Sequence, residues 1–408
     1  MSIQFQRISS RGLLAAIAVL CVAILSVNAM IVTEADTSRA NETRANETKS
    51  TAAVDGGAAK IPGDNWPLFR GGPLAQGVAS SKLPDKPVLL WKKTFDDEWF
   101  EGTAAIQDDV VYIGGLDGPL YALALKDGKE KWRLETEAGF IASPSLRDGF
   151  LYIGDLDGNF YCIDVATGKP KWQFESQAQI DSGANFYKDK VIFGSQDSTL
   201  YCLGRKTGAL AWKHQINDQI RCFPAVVGNR TFIAGCDSSL HVIDLDKGEG
   251  VAEIPLEAPT RCTPAIVGDF AYVGTEGESF FCINWRKNEI VWTYRPARPY
   301  AFKSSAAATE DIVVVGNHGR MVLGLDPKTG EEIWRYNTRG GIDASPVIAG
   351  SRAYVGSTRG NLFALDIKTG KKVWEYAAGG GFEASPAIAG GRLVVGSDDG
   401  IVYCFGSR

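Results

Sequence analysis

The chain has 408 residues, of which 45% are hydrophobic and 22% charged, a composition that is typical of folded globular proteins and excludes global disorder. Its 43 basic and 48 acidic residues give a formal net charge of −5, and because the sequence has no basic block, nucleic acid is not expected as a partner. The three histidines are too scattered to form a spaced metal motif, whereas 46 glycines and 10 tryptophans indicate an all-β repeat protein with many turns.

Residues 1–32 are predicted to be a targeting segment. Arg7 and Arg11 precede an apolar stretch from Leu13 to Val27, which is the arrangement of a secretory signal peptide, and small residues would allow cleavage after Ala29. An uncleaved anchor that tethers the protein to a membrane through residues 12–32 is the alternative, because a membrane span needs roughly 20 apolar residues. Both alternatives predict an exported protein, either periplasmic or associated with the cell envelope.

Residues 33–61 are predicted to form a disordered polar linker. They contain a tandem copy of Ala-Asn-Glu-Thr, at 40–43 and 45–48, and too few apolar residues to build a core. The folded domain is therefore predicted to span residues 62–408.

The folded domain is a repeat of about 40 residues that is marked by tryptophan. Between tryptophans, short runs of Val, Ile, Tyr and Phe alternate with turns, and pairs such as Asp157-Gly158 supply the positive φ angles of tight hairpins. Four strands in such a period form the blade of a propeller. One repeat has lost its tryptophan, and Ala252 takes its place. The repeating residues are Trp91, Trp132, Trp172, Trp212, Trp292, Trp334 and Trp374.

Eight repeats can be counted, and the last one is incomplete. It ends at Arg408 before an outer strand, whereas Pro87 to Phe95 has the pattern of an outer strand and no repeat of its own. We therefore predict an all-β fold, an eight-bladed β-propeller of four-stranded blades, with the ring closed by an N-terminal strand that completes the last blade. Closure of this kind leaves no open sheet edge.

Two stretches of sequence carry a resemblance to a known superfamily. The stretch ALDIKTGKKVW at 364–374 matches the tryptophan-docking motif of PQQ-like, or quinoprotein-type, β-propellers, and DNWPLFRG at 64–71 is similar to the segment before their first blade. This superfamily includes quinoprotein alcohol dehydrogenases and the outer-membrane assembly lipoprotein BamB. The resemblance spans residues 64–408, and it implies that the seven repeating tryptophans are structural and pack between neighbouring blades.

Blades four and five depart from the motif. Ala252 replaces the tryptophan in blade four, and Lys287-Asn288 stands in blade five where other blades have Thr-Gly. Their junction is predicted to be the weakest or the most specialised in the ring.

The cysteines occupy two columns of the repeat. Four of them share a column that elsewhere holds alanine, and they are predicted to be core residues, because equivalent positions in adjacent blades lie about 10 Å apart while a disulfide needs Cα atoms within roughly 7 Å. Cys222 and Cys262 share a column on the innermost strand, where the blades converge, so that a bond between them stays open. The four core cysteines are Cys162, Cys202, Cys282 and Cys404.

One charged column is the candidate binding site. It lies just before the Ala-Ser-Pro motif that begins each innermost strand, and it is predicted to ring one mouth of the central channel. Blades four to six contribute basic residues and blades seven, eight and one contribute acidic residues, so the mouth would be polar across its diameter. The candidate residues are Glu101, Asp181, Arg221, Arg261, Lys303, Asp343 and Glu383.

Two interpretations of this column stay open. The charges either pair with one another and plug the channel, or they dock a bipolar or anionic ligand or the loop of a partner protein. In the second case Arg221 and Arg261 would be the strongest anchors for an anion.

The sequence favours a binding protein over an enzyme. A quinoprotein dehydrogenase needs a channel carboxylate, for which Asp181 or Asp343 would serve, with an amide ligand beside it; these enzymes usually also have a vicinal Cys-Cys pair, which this chain lacks. Motifs for haem attachment, phosphate binding or a nucleophile elbow do not occur.

We therefore expect an exported, non-catalytic scaffold that resembles BamB. It would be a monomer without a resident cofactor or metal, and it would dock a protein partner in the envelope, such as a membrane β-barrel assembly component. The alternative is a small PQQ-dependent dehydrogenase, with calcium as the associated metal, or a sugar-binding enzyme.

Overall fold

The computed structural model describes residues 64–408 as 33 strands and one short 3-10 turn at Phe69–Gly71. The predicted targeting segment (1–32) and linker (33–61) lie outside the described residues. Within the described range, the structure contains no helix with the length and apolar character that a bilayer crossing requires.

The strands are arranged as eight antiparallel blades. Two strands precede the first blade, β1 (Val78–Ala79) and β2 (Val88–Thr94). Blades one to four contain β3 (Ala105–Gln107), β4 (Val110–Gly114), β5 (Leu120–Ala124), β6 (Glu130–Leu134), β7 (Ser145–Arg147), β8 (Phe150–Gly154), β9 (Asn159–Asp164), β10 (Pro170–Glu175), β11 (Asn185–Tyr187), β12 (Lys190–Gly194), β13 (Thr199–Gly204), β14 (Leu210–Gln215), β15 (Ala225–Val227), β16 (Arg230–Ala234), β17 (Ser239–Asp244) and β18 (Glu249–Pro255).

The second half of the ring repeats the same order of strands. Blades five to eight contain β19 (Ala265–Val267), β20 (Phe270–Gly274), β21 (Phe280–Asn284), β22 (Glu289–Tyr294), β23 (Ala307–Ala308), β24 (Val313–Asn317), β25 (Met321–Leu325), β26 (Glu332–Asn337), β27 (Val347–Ala349), β28 (Arg352–Gly356), β29 (Asn361–Asp366), β30 (Lys372–Ala377), β31 (Ala387–Ala389), β32 (Arg392–Gly396) and β33 (Ile401–Gly406). The prediction of an eight-bladed propeller is confirmed.

Burial within a blade follows the position of the strand. The second and third strands, such as β8 and β9, are almost entirely buried, because neighbouring blades cover both of their faces. The fourth strand, such as β10, alternates between partly buried and exposed residues and forms the outer wall. The core therefore lies between the blades, as a ring of apolar contacts around the channel.

The ring is closed by β2, as the sequence predicts. This strand pairs antiparallel with β33 and supplies the outer strand of blade eight, with Trp91 opposite Cys404 and Thr94 opposite Ile401. Blade eight is therefore built from both ends of the described chain.

A feature that the repeat pattern does not predict is a strap formed by residues 66–81. The strap runs along the channel-facing edges of the innermost strands, and its carbonyls accept a backbone N–H from blades one, two, four, five, six and seven. In blade seven it becomes the strand β1, which pairs parallel with β27. The donors are Ile106, Leu146, Val226, Ile266, Ala308 and Ile348.

The strap reaches the two remaining blades through side chains. In blade three, Asn185 donates its Nδ2 to the carbonyl of Pro73 over 2.9 Å, while its Oδ1 accepts the N–H of Phe186. In blade eight, the hydroxyl of Ser81 accepts the N–H of Gly391 over 2.8 Å. All eight blades are thus tied to the strap.

Arg70 fixes the strap inside the propeller. Its side chain is buried, and Nη2 donates to the carbonyls of Ala306 and Pro346, which belong to blades six and seven. Burial lowers the pKa of Arg70 to about 9.

The repeating tryptophans connect each blade to the next. In blade one, the indole Nε1 of Trp132 donates to the carbonyl of Val165 in blade two over 2.8 Å, and the ring lies on Gly168, where an added Cβ would come within 2.7 Å of it. The same pair of contacts recurs for Trp91, Trp172, Trp212, Trp292 and Trp334. Trp374 faces blade eight, which has no turn of this kind, and packs edge-to-face on Phe405 instead.

At the junction of blades four and five, a tryptophan from the neighbouring blade replaces the one that the repeat has lost. Where Ala252 leaves space, Trp285 of blade five inserts its ring 5.2 Å from Phe232 of blade four. In blade two the equivalent pair, Tyr152 and Trp172, has a ring separation of 5.9 Å. The glycine that lies beneath the tryptophan at the other junctions is also absent here. Asn288 takes its place and has a positive φ of 57°. The junction is specialised rather than empty.

The seven cysteines of the described chain are all free thiols, and six of them are buried. Cys162, Cys202, Cys282 and Cys404 lie in the core, as predicted. Cys222 and Cys262 do not pair: one sulfur accepts the N–H of Ala234, and the other thiol donates to the carbonyl of Phe302. Burial raises the pKa of both thiols to about 12, which favours the neutral thiol over the thiolate at neutral pH.

Replacing Trp285 with valine, the residue at this position in blade two, should lower the free energy of unfolding by about 3 kcal/mol, because the large ring leaves a cavity. The triple variant Ala252→Trp, Trp285→Val and Asn288→Gly should recover most of that loss by restoring the contact used at the other junctions. Denaturant unfolding of the three proteins measures both effects. A triple variant no more stable than Trp285→Val would contradict this account of the junction.

Candidate functional site

The charged column lies just before the innermost strands, close to the segments that the strap bonds. In blades six and seven, Arg70 of the strap bonds the carbonyls of Ala306 and Pro346, each three residues after an inner-ring position. We call this column the inner ring: Glu101, Ile141, Asp181, Arg221, Arg261, Lys303, Asp343 and Glu383.

A second ring surrounds it and was missed by the sequence reasoning. Its members begin the turn between the second and third strands of each blade. Each donates its backbone N–H to the carbonyl two residues before the inner-ring residue, as Gln196 does to Gln179 and His318 to Ala301. The second ring comprises Leu116, Leu156, Gln196, Cys236, Glu276, His318, Thr358 and Asp398.

Asp181 and Arg221 form the one ion pair within the inner ring of the described chain. The guanidinium Nε lies 2.9 Å from Oδ2 of Asp181, and the amides of Gln196 and Gln179 donate to the same carboxylate. Only 7% of the Asp181 side chain is exposed, against 26% for Arg221. Here the charges satisfy each other, as the plugged-channel interpretation requires.

The other basic residues do not pair across the ring. Arg261 turns outward to Glu276 of the second ring, with 3.3 Å between Nε and Oε1, and both side chains are about two-fifths exposed. Lys303 has no carboxylate within 4 Å in the part of the chain that the structure describes. Blades five and six therefore present positive charge at the mouth.

The acidic side gathers carboxylates that repel one another. Burial raises the pKa of Glu383, and the charges of Glu101, Asp343 and Asp398 raise it further, while Lys303 lowers it. Burial also raises the pKa of Glu101, with Asp181 adding to the effect and the two ring arginines opposing it. Neither glutamate forms an ion pair among residues 64–408. The mouth is thus acidic on one side and basic on the other.

His318 joins the acidic side through Asp343. Its Nδ1 lies 2.9 Å from Oδ1 of Asp343, and half of the imidazole is exposed. The sequence analysis considered the histidines only as metal ligands and did not place His318 at the mouth. The signal that could have located the second ring is its constant place, two residues after a glycine or alanine at or next to the end of each second strand.

The channel carboxylate that the calcium of a quinone cofactor would need is present at Asp181, with the side-chain amides of Gln179 and Gln196 beside it. No three His, Cys, Asp or Glu side chains between residues 64 and 408 are grouped closely enough to hold a metal ion. The two carboxylates named for this role are engaged, Asp181 by two amides and a guanidinium and Asp343 by His318.

Comparison with known families identifies the repeat. The family described as "Outer membrane protein assembly factor BamB" matches residues 85–221, 196–343 and 322–406, which together cover most of the chain. No curated protein sequence matches the chain.

Solved structures with the same fold differ in function. BamB from Moraxella catarrhalis superposes with a TM-score of 0.69 at 18% identity, covering 79% of this chain and 100% of its own. A quinohemoprotein alcohol dehydrogenase from Comamonas testosteroni gives 0.71 at 14% identity, covering 86% and 82%. The computationally designed Ika8 protein gives 0.68 at 16% identity, covering 77% and 98%. At these identities the similarity establishes the fold alone.

The acidic side of the mouth predicts a pH-dependent stability. The pKa of Glu383 is raised in the folded state, so its ionisation destabilises the fold as pH rises from about 4.3, the ordinary glutamate pKa, through the raised value. Glu383→Gln should therefore increase the free energy of unfolding at pH 7, by less than about 1 kcal/mol because the mouth is partly solvated. The gain should vanish below pH ~4.

Denaturant unfolding at several pH values measures this difference. The control is Glu310→Gln, which changes an exposed carboxylate in the turn between β23 and β24. A Glu383→Gln variant that is less stable than the wild type at pH 7 would show that the carboxylate has a stabilising partner.

Proposed function

The chain belongs to the family of the outer membrane protein assembly factor BamB, and we propose that it is a non-catalytic scaffold that docks a protein partner at the charged mouth of its channel. The family match over three overlapping stretches supports this assignment of role. The partner is a protein of the cell envelope, and a membrane β-barrel assembly component fits the family best.

The observation that carries the proposal is the incomplete pairing of the inner ring. Asp181 and Arg221 satisfy each other, whereas Arg261 pairs only with a half-exposed carboxylate and Lys303 pairs with none among the described residues. On the opposite side, Glu101 and Glu383 are held in a half-buried position where ionisation is disfavoured. A partner segment with charges of both signs would meet a complementary group on each side.

A rigid platform suits this role. The second ring is anchored by a backbone hydrogen bond in every blade, and the strap binds the innermost strands. The charges are therefore positioned before the partner arrives, which lowers the entropic cost of binding. Charge complementarity of this kind mainly raises the association rate and makes it sensitive to salt.

The proposed location is the periplasm or the cell envelope. The support is the sequence pattern of Arg7, Arg11 and the apolar stretch 13–27, which lies outside the described residues. A monomer that is either released or tethered through residues 12–32 would serve the same docking role.

Reversing the charge of the mouth should abolish docking without unfolding the propeller. Arg261→Glu removes an exposed cation, and the paired exchange Asp181→Arg with Arg221→Asp reverses polarity while keeping one ion pair. Each change should reduce cross-linking of the full chain to the outer-membrane β-barrel assembly protein of the same cells by about tenfold or more. Cross-linking in the native envelope, followed by affinity purification, measures the loss.

The matched control is Arg286→Glu. Arg286 pairs with Asp269 at 2.5 Å with similar exposure, but in the turns at the opposite end of the blade. Thermal unfolding monitored by circular dichroism establishes that each variant is folded. If Arg261→Glu and the exchange variant cross-link as strongly as Arg286→Glu does, the partner does not dock at the mouth and the proposal is wrong.

The second candidate is a PQQ-dependent oxidoreductase, favoured by the fold similarity to a quinohemoprotein alcohol dehydrogenase and by the carboxylates of the mouth. The guanidinium of Arg221 on Asp181 argues against it, because a positive charge beside the carboxylate opposes a bound cation. Titration of the full chain with PQQ and Ca²⁺, followed by absorbance and calorimetry, should give no saturable binding. Micromolar binding that is lost in Asp343→Asn would favour the enzyme instead.

A further inference from the structure

A cleft of about 550 Å³ opens between blades six and seven, outside the inner ring but on the same end of the propeller. Its volume lies in the range of pockets that hold small molecules. The residues that define its chemistry are Arg298, Tyr300, His318, Arg320, Asn337 and Arg359.

Three arginines from three separate segments meet at this cleft. Arg298 lies in the loop between β22 and β23, Arg320 in the turn between β24 and β25, and Arg359 in the turn between β28 and β29. None of the three has a carboxylate within 4 Å in the described chain, whereas nine other arginines there do. Cations that are close together and lack acidic neighbours form a site for an anion.

Arg320 is held in a backbone conformation that its side chain disfavours. Its φ is 67°, in the left-handed region, and blades one, two, seven and eight place a glycine at the same turn position. Glycine would therefore suit the turn better than arginine does. The presence of a long cationic side chain there agrees with a role for the guanidinium in the cleft.

The remaining walls supply an aromatic face and an amide. The ring of Tyr300 is 43% exposed and lies against Gly319, where an added Cβ would come within 2.2 Å of Cδ2. Gly340 permits a similarly close approach of Arg359. Asn337 adds a side-chain amide at the edge of the cleft. Three cations, a flat apolar surface and an amide match a small ligand with a charged group at one end and a ring at the other.

We propose that this cleft binds a small soluble molecule that carries a phosphate or another dianionic oxyanion group. The guanidinium groups of Arg298, Arg320 and Arg359 hold the oxyanion, since the planar fork of arginine matches the geometry of phosphate oxygens. The ring of Tyr300 packs against the sugar-like remainder of the ligand. This site does not depend on protein docking at the mouth, and it can be present whether or not that docking occurs.

The test uses the full chain and calorimetric titration with glucose 6-phosphate, glucose and inorganic phosphate. Glucose 6-phosphate should bind saturably and about tenfold or more tightly than glucose, because the oxyanion supplies charged hydrogen bonds. Arg320→Gly should weaken that binding about tenfold or more while the thermal midpoint stays equal or rises, since glycine relieves the turn. Arg359→Ala should weaken binding by a similar factor.

The matched control is Glu278→Gly, which makes the same backbone change at the same turn position in blade five, where φ is 72°. It should leave the affinity for glucose 6-phosphate unchanged. Equal binding of glucose and glucose 6-phosphate, or equal affinity in Arg320→Gly and Glu278→Gly, would overturn the proposal. Binding only to phosphatidylglycerol vesicles, or only to a hexaglutamate peptide, would also overturn it and assign the arginines to a membrane or an acidic protein segment.

Discussion

The architecture of this propeller depends on hydrogen bonds to the backbone N–H and C=O groups at the edges of its sheets. A blade has a free edge toward the channel and another toward the outside, and unpaired edges are costly when buried and prone to aggregation when exposed. The strap answers the first requirement, with carbonyls that accept an N–H from six blades and side-chain bonds to the other two. The pairing of β2 with β33 gives the last blade its outer strand.

The pairing of the inner sheet edges with the strap limits where a ligand or partner can bind. The strap, with buried Arg70, covers the channel-facing edges of the innermost strands, and the charged inner ring lies just before those strands. There the second ring holds polar side chains at fixed positions around it. The cleft between blades six and seven lies beside that ring, and the bond between His318 and Asp343 is a direct contact between the two surfaces. Both proposed sites therefore share one face.

The parts that the sequence could predict are those that repeat. The period of about 40 residues predicts the blades, the closing strand and a charged column, because equivalent positions occupy equivalent places. The strap could not be predicted, since residues 66–81 have no repeat and pair with strands far along the chain. Trp285 was missed because it fills a gap from the neighbouring blade. The cleft arginines belong to non-equivalent turn and loop positions, so no column reveals them.

The pairing of β2 with β33 also has a consequence for how the chain folds. The two strands are more than three hundred residues apart in sequence, so blade eight cannot form until the end of the domain has been synthesised. Contacts between such distant segments slow folding, and they leave the early blades with an uncovered flank in the meantime. A chain that crosses a membrane before folding would meet this delay on the far side.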